Sequence, residues 1–170
     1  MAQDQVYHTA ECLQGMQQAW DKLNQYLAGL SEGQLTAPCD PAGWNVKDHV
    51  THLAAWEESV ALMFTGKIRY EVLGVSRELY LARKFEEMNA AVRLRWLQLS
   101  PAEALARLRS VHAQMVELVE GMPEAQLNQT MEELFPSFSK GDTRKIGAVI
   151  YGNTEHHFLE HLPWMQALSG

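Results

Sequence analysis

Apolar side chains at helical spacing constrain this chain more than any other feature. Leu13, Met16, Trp20, Leu23 and Leu27 recur in steps of three and four residues. That spacing puts all five on one face of an α-helix and on no single face of a strand. It predicts a first helix over about residues 5–29, with Gly29 as its stop. A second helix is expected from Asn45, a good N-cap, with Asp48 in the first turn, where the helix dipole favours an acid. It runs to about Thr65-Gly66. A third covers about residues 84–99. Ser100-Pro101-Ala102-Glu103 is a capping box with proline at the first helical position, and it opens a fourth helix reaching Glu120. A last helix is expected over about residues 143–168, kinked or ended by Pro163. The mixed stretch from Lys67 to Leu81 reads as a long connection with a short extra helix between the second and third helices. No stretch alternates like a strand, so the expectation is all-α.

Two segments resemble each other. LAGLSEGQL (27–35) and VEGMPEAQL (119–127) each end a long helix, add a short turn, and lead toward a histidine-bearing helix. Either two helix ends use similar capping chemistry, or a helix pair is repeated. Repetition would build a four-helix bundle with pseudo-twofold symmetry. In both cases the second and last helices occupy corresponding places.

The 170 residues suit one domain, expected to span 1–170, and can bury a core without a structural metal or disulfides. The net charge of −7 argues against nucleic acid, which needs clustered Lys and Arg, and against an anionic membrane surface. Cys12 and Cys39 form no CxxC pair, and the amino-terminal stretch has no signal-peptide pattern, so a cytoplasmic protein is expected. The sequence contains no GxGxxG, no GxxxxGK[ST] and no GxSxG.

Histidine placement carries the functional signal. Glu155 to Met165 reads EHHFLEHLPWM, three of the seven histidines within seven residues. His157 and His161 are spaced i, i+4, so on a helix both rings stack on one face. A third ligand must come from another element, and His52 in VTHLAAW is the simplest choice. Three neutral nitrogens leave a coordination position open, the pattern of a catalytic site. Such ligands suit a divalent transition metal, with zinc or nickel ahead of iron or manganese. The alternative is that these are polar residues of helix surfaces. His49, three residues before His52, and His156 are reserve candidates. Asp48 (i−4 from His52) can either orient that ring or cap the helix, and Asn153 lies i−4 from His157. His157 to His161 also reads as HxxEH, which would make Glu160 a general base, although only nine residues remain to supply a further ligand. Trp44, Trp56 and Trp164 can wall a pocket or pack a core. Tyr80, Tyr151 and Cys39 are further candidates that the sequence does not place.

GWNVKDHVTHLAAWEE, the EHHFLEHLPWM ending, and the stretches VLGVSRELY, FEEMNAAV and SPAEALARLRSVHAQMVELVEGMPEAQL together resemble the DinB/YfiT-like metalloenzyme superfamily, nearest its ClbS/DfsB-like branch. The resemblance implies an up-down-down-up four-helix bundle. It carries the metal ligands of that family onto His52, His157 and His161, and it implies a homodimer. By the same resemblance the expected activity is that of a metal-dependent enzyme acting on a small molecule, by hydrolysis or by transfer of a low-molecular-weight thiol to an electrophile. The alternative it offers is a metal-free hydrolase or binding protein that disarms or sequesters a toxic compound.

Overall fold

The computed structural model describes residues 5–37 and 39–169; the first four residues of the amino-terminal stretch, Pro38 of the loop and Gly170 lie outside the described residues. In chain order the helices are α1 (Thr9–Ala28), α2 (Glu32–Thr36), α3 (Val46–Met63), α4 (Arg69–Leu73), α5 (Arg77–Leu81), α6 (Phe85–Trp96), α7 (Pro101–Glu120), α8 (Glu124–Leu127), α9 (Met131–Leu134), α10 (Ile146–Asn153) and α11 (Glu155–Ser169). No strand forms among the described residues beyond one isolated Thr130–Lys145 bridge.

The long helices form a closed ring: α1 packs on α7 and α11, and α3 packs on α7 and α11. Cross-helix contacts fix their directions. Glu155 lies against Gly15, and Tyr26 donates to the Met165 carbonyl at 2.6 Å, so α1 and α11 run parallel. Glu57 meets His112 while Lys47 reaches the carbonyls of Leu97 and Leu99 just before α7, so α3 and α7 run parallel. His49 meets His161 and His52 meets His157, so α3 opposes α11. The bundle is therefore up-down-down-up. One close approach depends on a missing side chain: a Cβ on Gly147 would collide with the Tyr7 ring.

Capping chemistry sets the start of both central helices. Asn45 and Asp48 bond each other's backbone N–H groups, and Ser100 and Glu103 do the same. Asp48 is thus a capping residue. Its carboxylate, almost fully buried, also accepts from Arg93 Nε at 2.8 Å, while Arg93 donates to the Gly43 carbonyl as well. The repeated segments take the same shape: Gly29 and Gly121 cap their helices at nearly equal angles, and Leu35 and Leu127 of the following short helices are buried.

Two boundaries differ from expectation. The 67–81 stretch holds two short helices, α4 and α5, the first ended by Gly74 at φ +72°. The last helix breaks at Thr154 rather than at Pro163, which sits inside α11. Thr154 adopts φ −126°, ψ −99°, and its hydroxyl bonds back to the Ile150 carbonyl at 2.8 Å, competing with the helical ladder.

Fifteen of the eighteen residues of α3 are buried, and the helix feeds three apolar clusters. One, around Met16, Met115 and Ile150, fills the end near α10. A second, around Leu23, Leu53 and Phe158, fills the other end. The third, around Trp56, Leu73 and Met88, lies under α4 to α6.

Removing Arg93 leaves the Asp48 carboxylate buried without its cation. Arg93→Met is expected to cost about 3 kcal/mol, against about 1 kcal/mol for Asn45→Ala, read from urea midpoints at constant slope. Equal costs would mean that the ion pair adds nothing beyond the cap.

Candidate functional site

Where α3 crosses α11, histidines from the two helices meet. Because α3 is helical, His49 and His52 share a face toward α11; because α11 is helical, His157 and His161 share a face toward α3. The rings of His52, His157 and His161 form a near-equilateral triangle, with centroids 4.7, 4.8 and 4.9 Å apart. Each offers a nitrogen, and these nitrogens all lie within 4.8 Å of one another. His52 Nε2 and His157 Nε2 are 3.0 Å apart. Tetrahedral zinc with Zn–N of about 2.0–2.1 Å would separate two ligand nitrogens by about 3.3 Å, so this pair already has the spacing and the trio, within 4.8 Å, has to draw in to reach it.

The cluster is electrically neutral. Burial pushes His52 well below the ordinary histidine value, and repulsion from the neighbouring histidines adds to it. Burial, then the charges of His156 and Arg69, take His157 to about 4. Burial, then His157 and His49, take His161 to about 2. Neutral imidazoles are the form that binds metal. They also leave hydrogen bonding incomplete: His52 Nδ1, His157 Nδ1 and His49 Nε2 are buried with no partner among the described residues. Buried unpaired polar atoms are costly; a cation between the two Nε2 atoms would leave these Nδ1 atoms to water, so it is the three neutral nitrogens within 4.8 Å of one another that speak for an ion. The donor set therefore fits a divalent transition metal.

His49 lies one step outside the triangle. Its Nδ1 sits 2.9 Å from His161 Nδ1, and its ring contacts Trp44 and Trp164. It is placed to orient His161, the usual work of a residue behind a metal ligand. His156 points outward and stacks on exposed Tyr151, so neither joins the cluster. Asp48 does not orient His52, since Arg93 and the cap engage it. Asn153 does not follow His157 on a continuous stripe, because the Thr154 break intervenes; it accepts from Arg69 Nη2 at 2.9 Å instead.

The cluster forms one wall of a cavity of about 1530 Å³. All three tryptophans line it. Trp44 meets His52 edge-on at 5.5 Å, Trp164 meets His161 at 4.8 Å, and Trp56 donates Nε1–H to Asn89. Tyr80, Cys39 and Glu160 also line it, whereas Tyr151 does not. Sequence reasoning missed Arg69, which enters the cavity from the unplaced 67–81 stretch. Its only signal was a basic residue opening a short helix beside that connection.

An all-α bundle with a trio of histidines shared between its second and last long helices defines a class of potential metal-site proteins. Residues 16–161 match the DinB superfamily, and the chain belongs to it. It is 30% identical over 145 residues to a Bacillus licheniformis protein named "Putative metal-dependent hydrolase", covering 84% of this chain and 76% of that one. Its fold is similar to that of the colibactin self-resistance protein ClbS, solved in complex with double-stranded DNA (17% identity, 94% of each chain, TM-score 0.73). It is also similar to DfsB, described as a sibling lethal factor precursor (15% identity, 97% of this chain and 94% of that one, TM-score 0.67). No helix among the described residues is long and apolar enough to cross a membrane.

The depressed histidines have a consequence for metal-free protein. The unfolded chain takes up protons as pH falls below 6.5, while folded His157 and His161 refuse them until about 4 and about 2. Stability is therefore whole above pH 6.5 and declines as pH falls from there toward 4. Melting temperature against pH should show that decline, and His157→Ala should flatten part of it; an unchanged slope in the variant would count against this origin.

Proposed function

We propose that this protein is a metal-dependent enzyme acting on a small molecule, with His52, His157 and His161 as ligands of a divalent transition metal. One observation carries the reading: three neutral, largely buried imidazoles converge on the wall of a large cavity with ring nitrogens within 4.8 Å of one another and no carboxylate bonded to them. An ion held there would act as a Lewis acid, bringing the pKa of a thiol or water toward neutrality. The kinship with a protein named for metal-dependent hydrolysis supports the same direction.

The remaining residues divide the other tasks. His49 fixes the His161 ring. Trp44, Trp56 and Trp164 offer apolar faces to the substrate and displace water from around the histidines. Glu160, open to the cavity one residue before His161, and Tyr80, on the cavity wall, can accept or return a proton. The volume exceeds the roughly 300–1000 Å³ common for one small ligand, so it accommodates an electrophile together with a thiol as readily as one substrate and water.

A second reading is a metal-free protein that binds or disarms a toxic compound. The fold shared with a self-resistance protein, together with the aromatic cavity, favours it. The two readings part at the histidines.

Untagged protein should carry close to one equivalent of a transition metal by plasma mass spectrometry, and a His157→Ala, His161→Ala double variant should carry none. No metal in the wild type, even after exposure to zinc or nickel, would defeat the enzyme reading and favour the binding protein. His49→Ala should keep the one-to-one stoichiometry but lose about 10- to 100-fold in metal affinity by chelator competition. A halved stoichiometry would instead place His49 among the ligands, and undiminished affinity would remove its positioning role.

A further inference from the structure

Arg69 opens α4 and lies beneath the cavity with only 5% of its surface exposed. A buried guanidinium normally has a carboxylate partner, because desolvating an unpaired cation costs several kcal/mol. Arg69 has none among the described residues. Its Nε donates to Ser59 Oγ at 3.1 Å, its Nη2 donates to Asn153 Oδ1 at 2.9 Å, and its plane lies 5.6 Å over Trp56. All three partners are neutral. Tyr80, on the same cavity wall, is the one further side chain that reaches the guanidinium, and Arg69 itself lines the cavity.

The carboxylate whose charge acts on it, Asp142, is engaged elsewhere. Arg144 grips Asp142 through Nε to Oδ1 at 2.9 Å and Nη2 to Oδ2 at 2.6 Å. The cavity as a whole runs against the charge of the chain: Arg69, Arg77, Arg83, Lys140 and Arg144 line it against Asp40, Asp142 and Glu160, in a protein of net charge −7. Arg69 is also close enough to His157 for its charge to oppose protonation of that ring.

We propose that Arg69 is the seat for an anionic group, a carboxylate in the first instance, on the small molecule that the cavity takes. Ser59 and Asn153 hold the guanidinium fork in place, Tyr80 lies beside it, and its cavity side meets the anion. The anion lies beside the histidine cluster, so the rest of the molecule reaches His52 and His157 along the tryptophan faces. This deepens the small-molecule reading above, but it does not require the metal. The carboxylate belongs either to a thiol or to its electrophilic partner, and the binding chemistry is the same for both.

The test is calorimetric titration with two matched pairs: mercaptoacetate against its methyl ester, and phenylacetate against its methyl ester. In the wild type at least one free acid should bind about tenfold or more tighter than its ester, the yield of one charge-assisted hydrogen bond. Preference in the thiol pair assigns the anion to the thiol, and preference in the phenyl pair assigns it to the electrophile. Arg69→Gln should bring acid and ester to parity without weakening the ester. Arg69→Lys, which keeps the charge and serves if the glutamine variant does not fold, should retain a reduced preference. The His157→Ala, His161→Ala protein separates this proposal from the metal: with no metal bound, the preference should remain. Parity in wild type for both pairs, or a preference untouched by both Arg69 variants, overturns the proposal. So does a preference that disappears with the histidines alone, since the carboxylate would then sit on the metal.

Discussion

The structure depends on a helix buried on nearly every side that is not apolar on every side. Helix α3 carries Lys47, Asp48, His49, Thr51, His52, Glu57 and Ser59 into the interior. Each such group is costly to bury without a partner; Thr51 turns back to the Asp48 carbonyl of its own helix, and the other partners come from several surrounding elements. Lys47 takes the last carbonyls after α6, Asp48 takes Arg93 of α6, and Glu57 takes His112 of α7 at 2.9 Å. His49 and His52 take α11, and Ser59 takes Arg69 of α4. Polar demand along one helix thus specifies which elements surround it and in what register, while the apolar clusters supply most of the favourable energy. The demand is left partly unmet at the α11 side, where His49 and His52 each keep an unpaired nitrogen, and at Glu57 Oε2.

The contrast between the two buried histidine groups makes the point. His112 lies in the core, stacked on Trp20 at 4.1 Å, and its Nδ1 meets a carboxylate that burial holds above its ordinary value. That pair joins α3 to α7 inside the closed core, away from the cavity. His52, His157 and His161 have no carboxylate bonded to them, and each is held neutral. A carboxylate–imidazole pair in a closed core ties two helices together. Imidazoles gathered without an acid at a cavity wall leave lone pairs for something that arrives.

Much of this was legible in the sequence because its signals are local. Asn45 with Asp48, and Ser100 with Glu103, announce their helices through side chains that bond backbone three residues away. The spacing of His157 and His161 places both on one face whatever the tertiary fold. The pairing of that face with His52 was only the simplest choice, since nothing local joins residues 105 positions apart, and the family resemblance supported it. Three features stayed hidden for physical reasons. At the Thr154 break the hydroxyl bonds the Ile150 carbonyl one turn back, a choice open to any threonine in a helix and seldom decisive. Asp48 was offered two roles, and the decision rested on Arg93, distant in sequence. Arg69 sits in a connection too short and mixed for periodicity to place, so its burial follows from α3 rather than from its own neighbourhood.

The charge arrangement bears on what the cavity selects. A net charge of −7 spread over the surface repels anions weakly, because salt screens surface charges beyond about 8 Å at physiological ionic strength. A guanidinium held under a tryptophan face works in a drier medium, where one charge–charge contact outweighs several screened ones. Selection of an anion is therefore compatible with an acidic exterior, provided the last step is made against Arg69 and not against the surface. A compact molecule with one acidic group and an apolar body matches both the tryptophan walls and the cavity side of Arg69.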